Sequence, residues 1–493
     1  MTQFPAHASI VGRTALAIAA VCALASCADA TNSQQAAAAG PSKVSFGPCP
    51  QSAAGIFTEG TVSCGVLHVP ENRAKPGSRM LDLPFSILKA SAANPQPDPV
   101  LVLVGGPGGS AHMDVASGYM PLEQLRKDRD IIVLEQRGTG YTSVPLVCAD
   151  ADSHPVTPIL RNALTACRDR MRREGVDFTG YDTAANAQDF VDLGRLLGIR
   201  SWNLFGISYG TRLGLVLMRD HGVNVRSAVL DAAYPLTMNT FFTGGQLQGF
   251  SHVVRACNQD AKCAAQHPRL RENFIAAIEH FDKNPFTLRG QRFGGEIVVA
   301  ILRGALGRPE NVSKIPAAID RAAQGDLEPL LAMGWIRKFE LPPLYLAHGM
   351  YALVECRDSY YQAPPLDARE APTGGFAGWP ASVIAAVSRS SAQERMMCEI
   401  FNPGSGATPM GGPVHSAIPT LVINGEFDGG TTSEMGDQIA ADLENAVHIT
   451  TRGGGHSSVA NPCIRSIIES FIDKPSKSVD TRCTQAIEPL KFE

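Results

Sequence analysis

Ser208 lies between two glycines in the segment GISYG, residues 206–210. The segment follows the apolar run SWNLF and precedes TRLGLVLM, so the serine stands where a strand passes into a helix. Small flanking residues let the two backbones close around a strained serine, and a helix N-terminus favours negative charge developing on its oxygen. The pattern predicts a nucleophilic serine. The alternative is an ordinary strand-to-helix turn.

A serine hydroxyl is a weak nucleophile until a base accepts its proton, so a histidine is required. His448 and His456 are the histidines that follow the returning strands near the end of the chain. His448 lies inside the strand-like run AVHIT, where a hydrogen-bonded structural histidine is the usual case. His456 follows RGGG, a loop that can fold over the strand ends, and we expect His456 to be the base.

The histidine in turn needs an acid that orients it. Asp428 follows the apolar run TLVIN in the glycine-rich loop GEFDGGTT, and Asp231 ends the run AVLD. We expect Asp428 to be the acid, because it gives the chain order Ser, Asp, His, whereas an aspartate placed like Asp231 more often caps a loop. Glu426 is more simply an exposed loop residue.

Two backbone N–H groups must face the negatively charged oxygen that forms during acyl transfer. The N–H of Tyr209, next to the serine, is one candidate. The other should come from the loop GGPGG, residues 105–109, with Gly106 the best choice. The loop could instead form only a tight turn or bind phosphate, but no GK[ST] follows it and no GxGxxG is present.

Short apolar runs alternate with helical patterns from Val44 to about Tyr234, and this alternation predicts a parallel sheet of βαβ units. It returns in the last eighty residues, with TLVIN and AVHIT as strands and CIRSIIESFI as a helix. Residues 236–412 lack buried strand runs and read as mostly helical. We therefore expect an α/β core at 44–235 and 413–493, interrupted by a helical insertion at 236–412.

The N-terminus has the pattern of an export signal. An apolar run after Arg13 is too short to cross a bilayer but suits a signal peptide, residues 1–26. It ends in LASC, which resembles a bacterial lipobox and predicts a lipid on Cys27, followed by a polar tether at 27–43. A plain signal peptide is the alternative. The protein would reach the cell envelope or be secreted, and a lipid would be its only link to a membrane.

Outside the signal region, ten cysteines remain of the chain's 12. In an oxidising compartment an even number predicts five disulfides, although sequence alone does not fix the connectivity. Pairing of sequence neighbours gives Cys49–Cys64, Cys148–Cys167, Cys257–Cys263, Cys356–Cys398 and Cys463–Cys483. No CxxC or HExxH occurs, so we expect no zinc and no other metal or cofactor.

The charge balance also limits the partners. The 493 residues carry a net charge of -4, without a basic stripe or an acidic tail. This gives no reason to expect nucleic acid as a partner, and peptides or other small substrates are favoured. The sequence leaves the oligomeric state open.

Taken in order, VGGPGGS, EQRGTGYTS, GISYG, GEFDGGTT and GGGH resemble the motifs of the α/β-hydrolase fold. More narrowly, the chain resembles the proline iminopeptidase and tripeptidyl aminopeptidase group of exported serine peptidases. The resemblance covers most of the chain after about residue 45. It implies a mostly parallel sheet with a helical cap, the triad Ser208, Asp428 and His456, and a structural role for Arg137 beside the oxyanion loop.

Three departures from the group's motifs weaken a strictly proline-specific interpretation. Val104 stands where proline iminopeptidases usually have histidine, Glu135 replaces the aspartate of a DQRG motif, and Tyr209 replaces a tryptophan after the serine. Serine hydrolysis itself is less affected, because tripeptidyl-type relatives and exported esterases tolerate such changes.

An aminopeptidase must bind its substrate's ammonium group, which requires a carboxylate in the cleft. In YALVECRDSYY, Glu355 and Asp358 are three residues apart and would share a helix face. The alternative for each is an ordinary solvated or structurally paired acid. The leading hypothesis is thus an exported aminopeptidase that acts through an acyl-enzyme. A carboxylesterase or lipase with the same triad is the second hypothesis, and a non-catalytic binding protein the third.

Overall fold

The computed structural model describes residues 40–49, 60–117, 122–148, 158–238, 244–288, 291–333, 346–360, 374–406 and 410–493. The predicted signal segment, Cys27 and most of the tether lie outside these ranges. The strands within them are β1 Lys43–Gly47, β2 Val62–Pro70, β3 Met80–Leu88, β4 Gln96–Leu103, β5 Arg129–Leu134, β6 Trp202–Ile207, β7 Val225–Asp231, β8 Phe286–Leu288, β9 Gln291–Phe293, β10 Thr420–Gly425 and β11 Ala446–Thr451.

A nine-stranded sheet in the order β1-β2-β3-β5-β4-β6-β7-β10-β11 forms the centre of the molecule. The six strands from β5 to β11 in that order pair in parallel, and β1, β2 and β3 add an antiparallel edge. The α/β-hydrolase fold expected from the sequence is confirmed, with a mostly parallel sheet flanked by helices. The six parallel strands are the apolar runs identified in the sequence. All of them except the edge strand β11 are mostly buried, and strands buried on both faces are continuously apolar.

The helices surround this sheet or follow its strands. They are α1 Ala111–Ala116, α2 Leu122–Leu125, α3 Pro158–Arg173, α4 Thr183–Leu196, α5 Tyr209–His221, α6 Gly245–Gln259, α7 Ala261–Gln266, α8 Leu270–Lys283, α9 Glu296–Leu306, α10 Pro309–Val312, α11 Ile315–Ala323, α12 Glu328–Ala332, α13 His348–Glu355, α14 Ala381–Ser390, α15 Ala392–Phe401, α16 Ser433–Asp442 and α17 Pro462–Asp473. Across the described ranges, none of them combines the length and apolar composition that crossing a membrane would need.

Ten of these helices, α6 to α15, lie between β7 and β10 in the described part of the chain. Eight of them, α6 to α12 and α14, share a hydrophobic core that includes Phe250, Phe274 and Trp379, and Phe427 from the loop after β10 also packs into it. Helices α13 and α15 pack into the core of the sheet instead. The short hairpin of β8 and β9 also lies in this region, where the sequence pattern predicted helices. The limits proposed for the helical insertion stay a prediction.

The ten cysteines outside the signal region form the five disulfides that pairing of sequence neighbours predicts. Each joins two cysteines that are at most 42 positions apart in the sequence. Disulfides of this kind persist in oxidising compartments. The cysteine pairing therefore indicates an extracytoplasmic environment.

Candidate active site

Ser208 lies on a sharp turn between β6 and α5. Its φ of 56° and ψ of -122° fall in a region that side-chain-bearing residues rarely occupy. The turn requires the two flanking glycines, because a Cβ at Gly206 would lie 2.6 Å from the carbonyl oxygen of Gly210, and one at Gly210 would collide with the carbonyl oxygen of Leu103. A non-glycine residue held in a strained conformation by its surroundings is common at functional sites.

Gly210→Ala should destabilise the fold as well as remove activity. Its Cβ has no room beside the backbone of β4, so either the strand or the turn must shift, and we expect a loss of about 3 kcal/mol in the free energy of unfolding. Denaturant unfolding measures the loss. Gly411→Ala is the matched control, since a Cβ there meets nothing within 4 Å. Equal free energies of unfolding for the two variants would contradict the close packing of the Ser208 turn at Gly210.

Asp428 and His456 meet at the carboxyl edge of the sheet, after β10 and β11. His456 Nδ1 lies 2.8 Å from Asp428 Oδ2. The carboxylate is buried and also accepts hydrogen bonds from the N–H groups of Gly430, at 2.7 Å, and Thr431, at 3.1 Å. The side chain of His456 is 35% exposed.

The electrostatics of the pair suit an acid that stays ionised beside a base. Burial alone would raise the pKa of Asp428, but the charge of His456 and the hydrogen bonds from His456, Thr431 and Gly430 hold it below its usual range. Burial alone would lower the pKa of His456, but the charge and hydrogen bond of Asp428 raise it above the ordinary value. The imidazole is therefore more basic than a free one.

Ser208 and His456 are brought to the same edge of the sheet through Asp231. The N–H of Ser208 donates to the Asp231 carbonyl oxygen at 3.0 Å, and the hydroxyl of Ser457 donates to the Asp231 carboxylate at 2.6 Å. The hydrogen bonds of the described residues do not include a direct one from Ser208 Oγ to the imidazole. In unliganded enzymes this bond is often long and tightens when substrate binds.

The glycine loop after β4 approaches the serine closely. A Cβ at Gly105 would lie only 3.5 Å from Ser208 Oγ, and Gly106 has a φ of 115° that favours glycine. The start of α13 holds the loop, since the N–H of Ala347 donates to the carbonyl oxygen of Gly108 at 2.8 Å. The loop thus lies beside Ser208, and the role of the Gly106 N–H as an oxyanion donor stays a prediction.

The second expected oxyanion donor is the N–H of Tyr209, the first residue of α5. The first N–H groups of a helix have no partner within it. The Tyr209 side chain is buried, and its hydroxyl lies 2.8 Å from Thr183 Oγ1 and 3.2 Å from Asn186 Nδ2. These contacts tie the turn to α4.

His448 and Glu426, the residues weighed against His456 and Asp428, have other partners, and Arg137 is bound in the framework. His448 Nδ1 lies 2.8 Å from Asp437 on α16, and Glu426 accepts a hydrogen bond of 2.8 Å from the N–H of Gly453. Arg137 is fully buried and binds both carboxylate oxygens of Asp189 at 2.7 and 2.8 Å. These three contacts connect parts of the framework.

A second series of hydrogen-bonded serine, histidine and carboxylate side chains lies next to the glycine loop of residues 105–109. Ser86 Oγ is 2.8 Å from His112 Nε2, and His112 Nδ1 is 3.0 Å from Glu135. All three residues are buried, and Ser86 lies in the middle of β3, so substrate cannot reach it. Glu135 also accepts the hydroxyl of Ser110 at 2.7 Å. Through Ser110, this series of hydrogen bonds supports the end of the glycine loop.

Glu355 and Asp358, the two acids that were expected to share a helix face, lie in two different elements. Helix α13 ends at Glu355, and residues Cys356–Tyr360 form a π-helical turn, which changes the spacing. Asp358 is buried and accepts a hydrogen bond of 3.1 Å from the N–H of Thr183. Burial and the neighbouring charge of Asp182 raise its pKa. The Asp358 carboxylate therefore binds the first residue of α4, which also contacts Tyr209 in the turn of Ser208. These contacts do not favour binding of a substrate's ammonium group by Asp358.

Glu355 lies nearer to the nucleophile's helix. One of its carboxylate oxygens is 3.9 Å from a guanidinium nitrogen of Arg212, which is one turn after Ser208 on α5. The guanidinium carbon of Arg212 also lies 5.1 Å from the ring centre of Tyr234. Glu355 and Arg212 thus form a charged pair beside the turn that carries Ser208.

The sequence analysis missed an ion pair in the helical region. Arg303 on α9 lies 3.3 Å from Glu394 on α15, and their side chains are 45% and 25% exposed. Arg303 is one turn before Gly307, whose carbonyl oxygen accepts the N–H of His456 at 2.9 Å. Its charge acts against the rise in the pKa of His456, so it lies near the imidazole. A lone arginine in the apolar run EIVVAILRGAL was the available signal.

In the described ranges, no group of three or more His, Cys, Asp and Glu side chains is arranged to hold a metal ion. The chemistry available here is that of a hydroxyl, an imidazole, a carboxylate and backbone N–H groups. In other enzymes, a set of this kind performs acyl transfer through a covalent serine intermediate.

Comparison with known proteins agrees with this description of the fold. Residues 98–252 match the family model "alpha/beta hydrolase fold", and residues 384–483 match "TAP-like protein". The chain therefore has the α/β-hydrolase fold, and these two segments are similar to the two families. The predicted resemblance to the tripeptidyl aminopeptidase and proline iminopeptidase group is also confirmed, because curated relatives carry these names.

The curated relatives are distant. Tripeptidyl aminopeptidase of Streptomyces coelicolor is 27% identical over 35% of this chain and 35% of its own length. Serine protease Hip1 of Mycobacterium tuberculosis is 24% identical over 45% of this chain and 46% of its own length. The putative hydrolase YuaR of Escherichia coli is 20% identical over 85% of this chain and 87% of its own length. The chain thus spans less than half of the first two relatives.

Proposed function

We propose that this chain is an exported serine aminopeptidase that releases short fragments or single residues from the free N-termini of peptides. The observation that carries the proposal is the ion pair of Asp428 and His456 at the strand edge where the strained Ser208 also lies. The names of the curated relatives and the acids near the elbow favour peptides over other substrates.

In the proposed mechanism, Ser208 Oγ attacks the carbonyl carbon of the scissile bond while His456 Nε2 accepts its proton. The N–H groups of Tyr209 and Gly106 bind the oxyanion. His456 then gives the proton to the leaving amine, and water hydrolyses the acyl-enzyme with the same imidazole as base. Asp428 orients the ring and stabilises its charged form throughout. This sequence of steps needs no metal or cofactor.

The substrate's ammonium group would bind to an acidic side chain of the helical region between β7 and β10. Glu394 is a better candidate than Asp358, because its side chain is a quarter exposed and lies beside Arg303, near His456. Glu355, which lies next to Arg212 at the end of α13, would add a second negative charge to the site. A carboxylate in a cleft binds an ammonium through charge-assisted hydrogen bonds, and this contact would place the N-terminus at a fixed distance from Ser208.

The test compares free and N-acetylated peptide anilides and simple aryl esters on the mature protein. We expect the free-amino anilides to be cleaved and the acetylated ones to be cleaved at least about 100-fold more slowly, since a charge-assisted contact of about 3 kcal/mol is lost. Equal cleavage of both would exclude recognition of the ammonium. Ester turnover without anilide cleavage would identify a carboxylesterase or lipase.

The residue-level arm of this test uses Glu394→Gln, with Glu399→Gln as the control on the same helix. Glu399 is exposed and lies near the end of α15. We expect Glu394→Gln to raise KM for free-amino substrates about tenfold or more while leaving acetylated substrates unaffected. The same KM in both variants would remove Glu394 from the ammonium site.

The proposal includes the N-terminal processing and the domain limits predicted from the sequence. Export is supported by the five disulfides and by the apolar run that precedes LASC. A lipid on Cys27 would tether the core through residues 27–43. Residues 236–412 would form the cap over the strand edge, and the substrate would enter between the cap and the core.

A further inference from the structure

A buried carboxylate, that of Asp231, lies between the candidate nucleophile and the candidate base. Its Oδ2 accepts the hydroxyl of Ser457 at 2.6 Å, and its two oxygens accept the N–H of Ser458 at 3.0 and 3.1 Å. Its own carbonyl oxygen accepts the N–H of Ser208 at 3.0 Å. Asp231, at the end of β7, therefore binds the backbone of Ser208 and the two residues that follow His456.

The strand order explains how one residue can do this. The strands β6, β7, β10 and β11 are neighbours in the sheet, and Ser208, Asp231, Asp428 and His456 end or follow them in that order. Asp231 thus lies between the strand of the nucleophile and the two strands of the acid and base. Its side chain reaches past Asp428's strand to the residues that come directly after His456.

The backbone that Asp231 holds is strained. Ser457 has a φ of 74°, which is rare for a residue with a side chain. Such a conformation persists only where surrounding contacts enforce it. The two contacts from Asp231 act on Ser457 and Ser458, so we expect their loss to let the loop relax and move the imidazole of His456.

The charge of Asp231 acts on the same imidazole. The charged groups facing His456 are Asp428 and Asp231, which favour its protonated form, and Arg303, which disfavours it. Burial raises the pKa of Asp231, while the hydrogen bonds of Ser457 and Ser458 and the charge of His456 oppose that rise. When His456 accepts the proton of Ser208, the second carboxylate lowers the energy of the resulting imidazolium.

We propose that Asp231 is a positioning residue for acyl transfer: its carboxylate fixes the loop of His456 in register with Ser208 and stabilises the imidazolium that forms. The inference rests on the proposed roles of Ser208 and His456, but it does not depend on whether the substrate is a peptide or an ester.

The test is the second-order rate constant for labelling of Ser208 by a fluorophosphonate, measured against pH for the wild type, Asp231→Asn and Ser457→Ala. Asp231→Asn keeps the shape and one acceptor oxygen but removes the charge. We expect its plateau rate to fall about 10- to 100-fold and its acid limb to move to lower pH by roughly 0.5 to 1 unit, because the pKa of His456 falls when a facing negative charge is lost.

Ser457→Ala separates the two effects, because it removes one hydrogen bond and keeps the charge. We expect a plateau about three- to tenfold lower with an unmoved acid limb, and a thermal midpoint lowered by no more than the loss of one buried hydrogen bond. A wild-type plateau and acid limb in both variants would overturn the inference. If Asp231→Asn does not fold, a wild-type labelling rate in Ser457→Ala still overturns it. Failure of the wild type to label at all would instead overturn the proposed function.

Discussion

Ser208→Ala should abolish turnover of every substrate, with kcat about 10⁶-fold lower. The alanine leaves the elbow, the oxyanion loop and the charge pair of Asp428 and His456 in place, so only the attacking oxygen is lost. Binding of substrate should be retained, and the measured loss should therefore appear in kcat and not in KM. Steady-state assays on the best anilide or ester, together with the thermal midpoint, measure both.

Ser86→Ala is the matched control for this experiment. Ser86 is hydrogen-bonded to His112, which contacts Glu135, so it has the same chemical neighbours as a nucleophile but is buried in β3. After correction for the folded fraction, this variant should retain activity within a few-fold. Residual turnover above about 1% in Ser208→Ala, or complete loss in Ser86→Ala, would contradict the assignment of the nucleophile.

Asp428→Asn should lower kcat about 10⁴-fold. Asparagine preserves the shape and keeps an acceptor oxygen, but it no longer stabilises the imidazolium and allows the wrong tautomer of His456. Because Asp428 is buried and holds the pKa of His456 above its usual value, the neutral variant should also shift the acid limb of the pH–rate profile to lower pH.

Asp437→Asn is the control for the acid. Asp437 pairs with His448 at 2.8 Å, as Asp428 pairs with His456, but it lies on α16 and is mostly exposed. Its variant should show wild-type kinetics and pH dependence. A similar loss in both variants, or a loss of less than about tenfold in Asp428→Asn, would show that the acid lies elsewhere. Asp231 would then be the next carboxylate to test.

The central part of the fold could be predicted because its strands are buried on both faces. Runs such as PVLVLV and WNLFGI have a continuous apolar pattern, which helices flanking a parallel sheet require. The antiparallel strands β2 and β3 were not identified, since half-buried strands mix polar and apolar residues. The hairpin of β8 and β9 is three residues per strand, too short to show a period.

The candidate triad could also be anticipated, because topology places the ends of parallel strands at one edge. Chain order and loop composition favoured Asp428 and His456 over Asp231 and His448, and these roles stay a prediction. The structure gives Asp231 a different position, between Ser208 and Ser457, which follows from contacts between strand ends and has no local sequence signal.

The substrate side of the site was the least predictable part. The pairing of Glu355 with Asp358 assumed a regular helix, and the π-helical turn after Glu355 breaks that assumption. Arg303 and Glu394 are 91 residues apart and meet only because α9 and α15 face each other. Contacts of this kind arise from helix packing, which neither residue spacing nor composition specifies.

The most direct test of the account is to locate a fluorophosphonate adduct by mass spectrometry and to compare its rate of formation in His456→Ala and His448→Ala. The account predicts one adduct per chain, on Ser208, formed at the wild-type rate in His448→Ala and at least about 100-fold more slowly in His456→Ala. An adduct on another residue, or equal labelling rates in the two histidine variants, would contradict it.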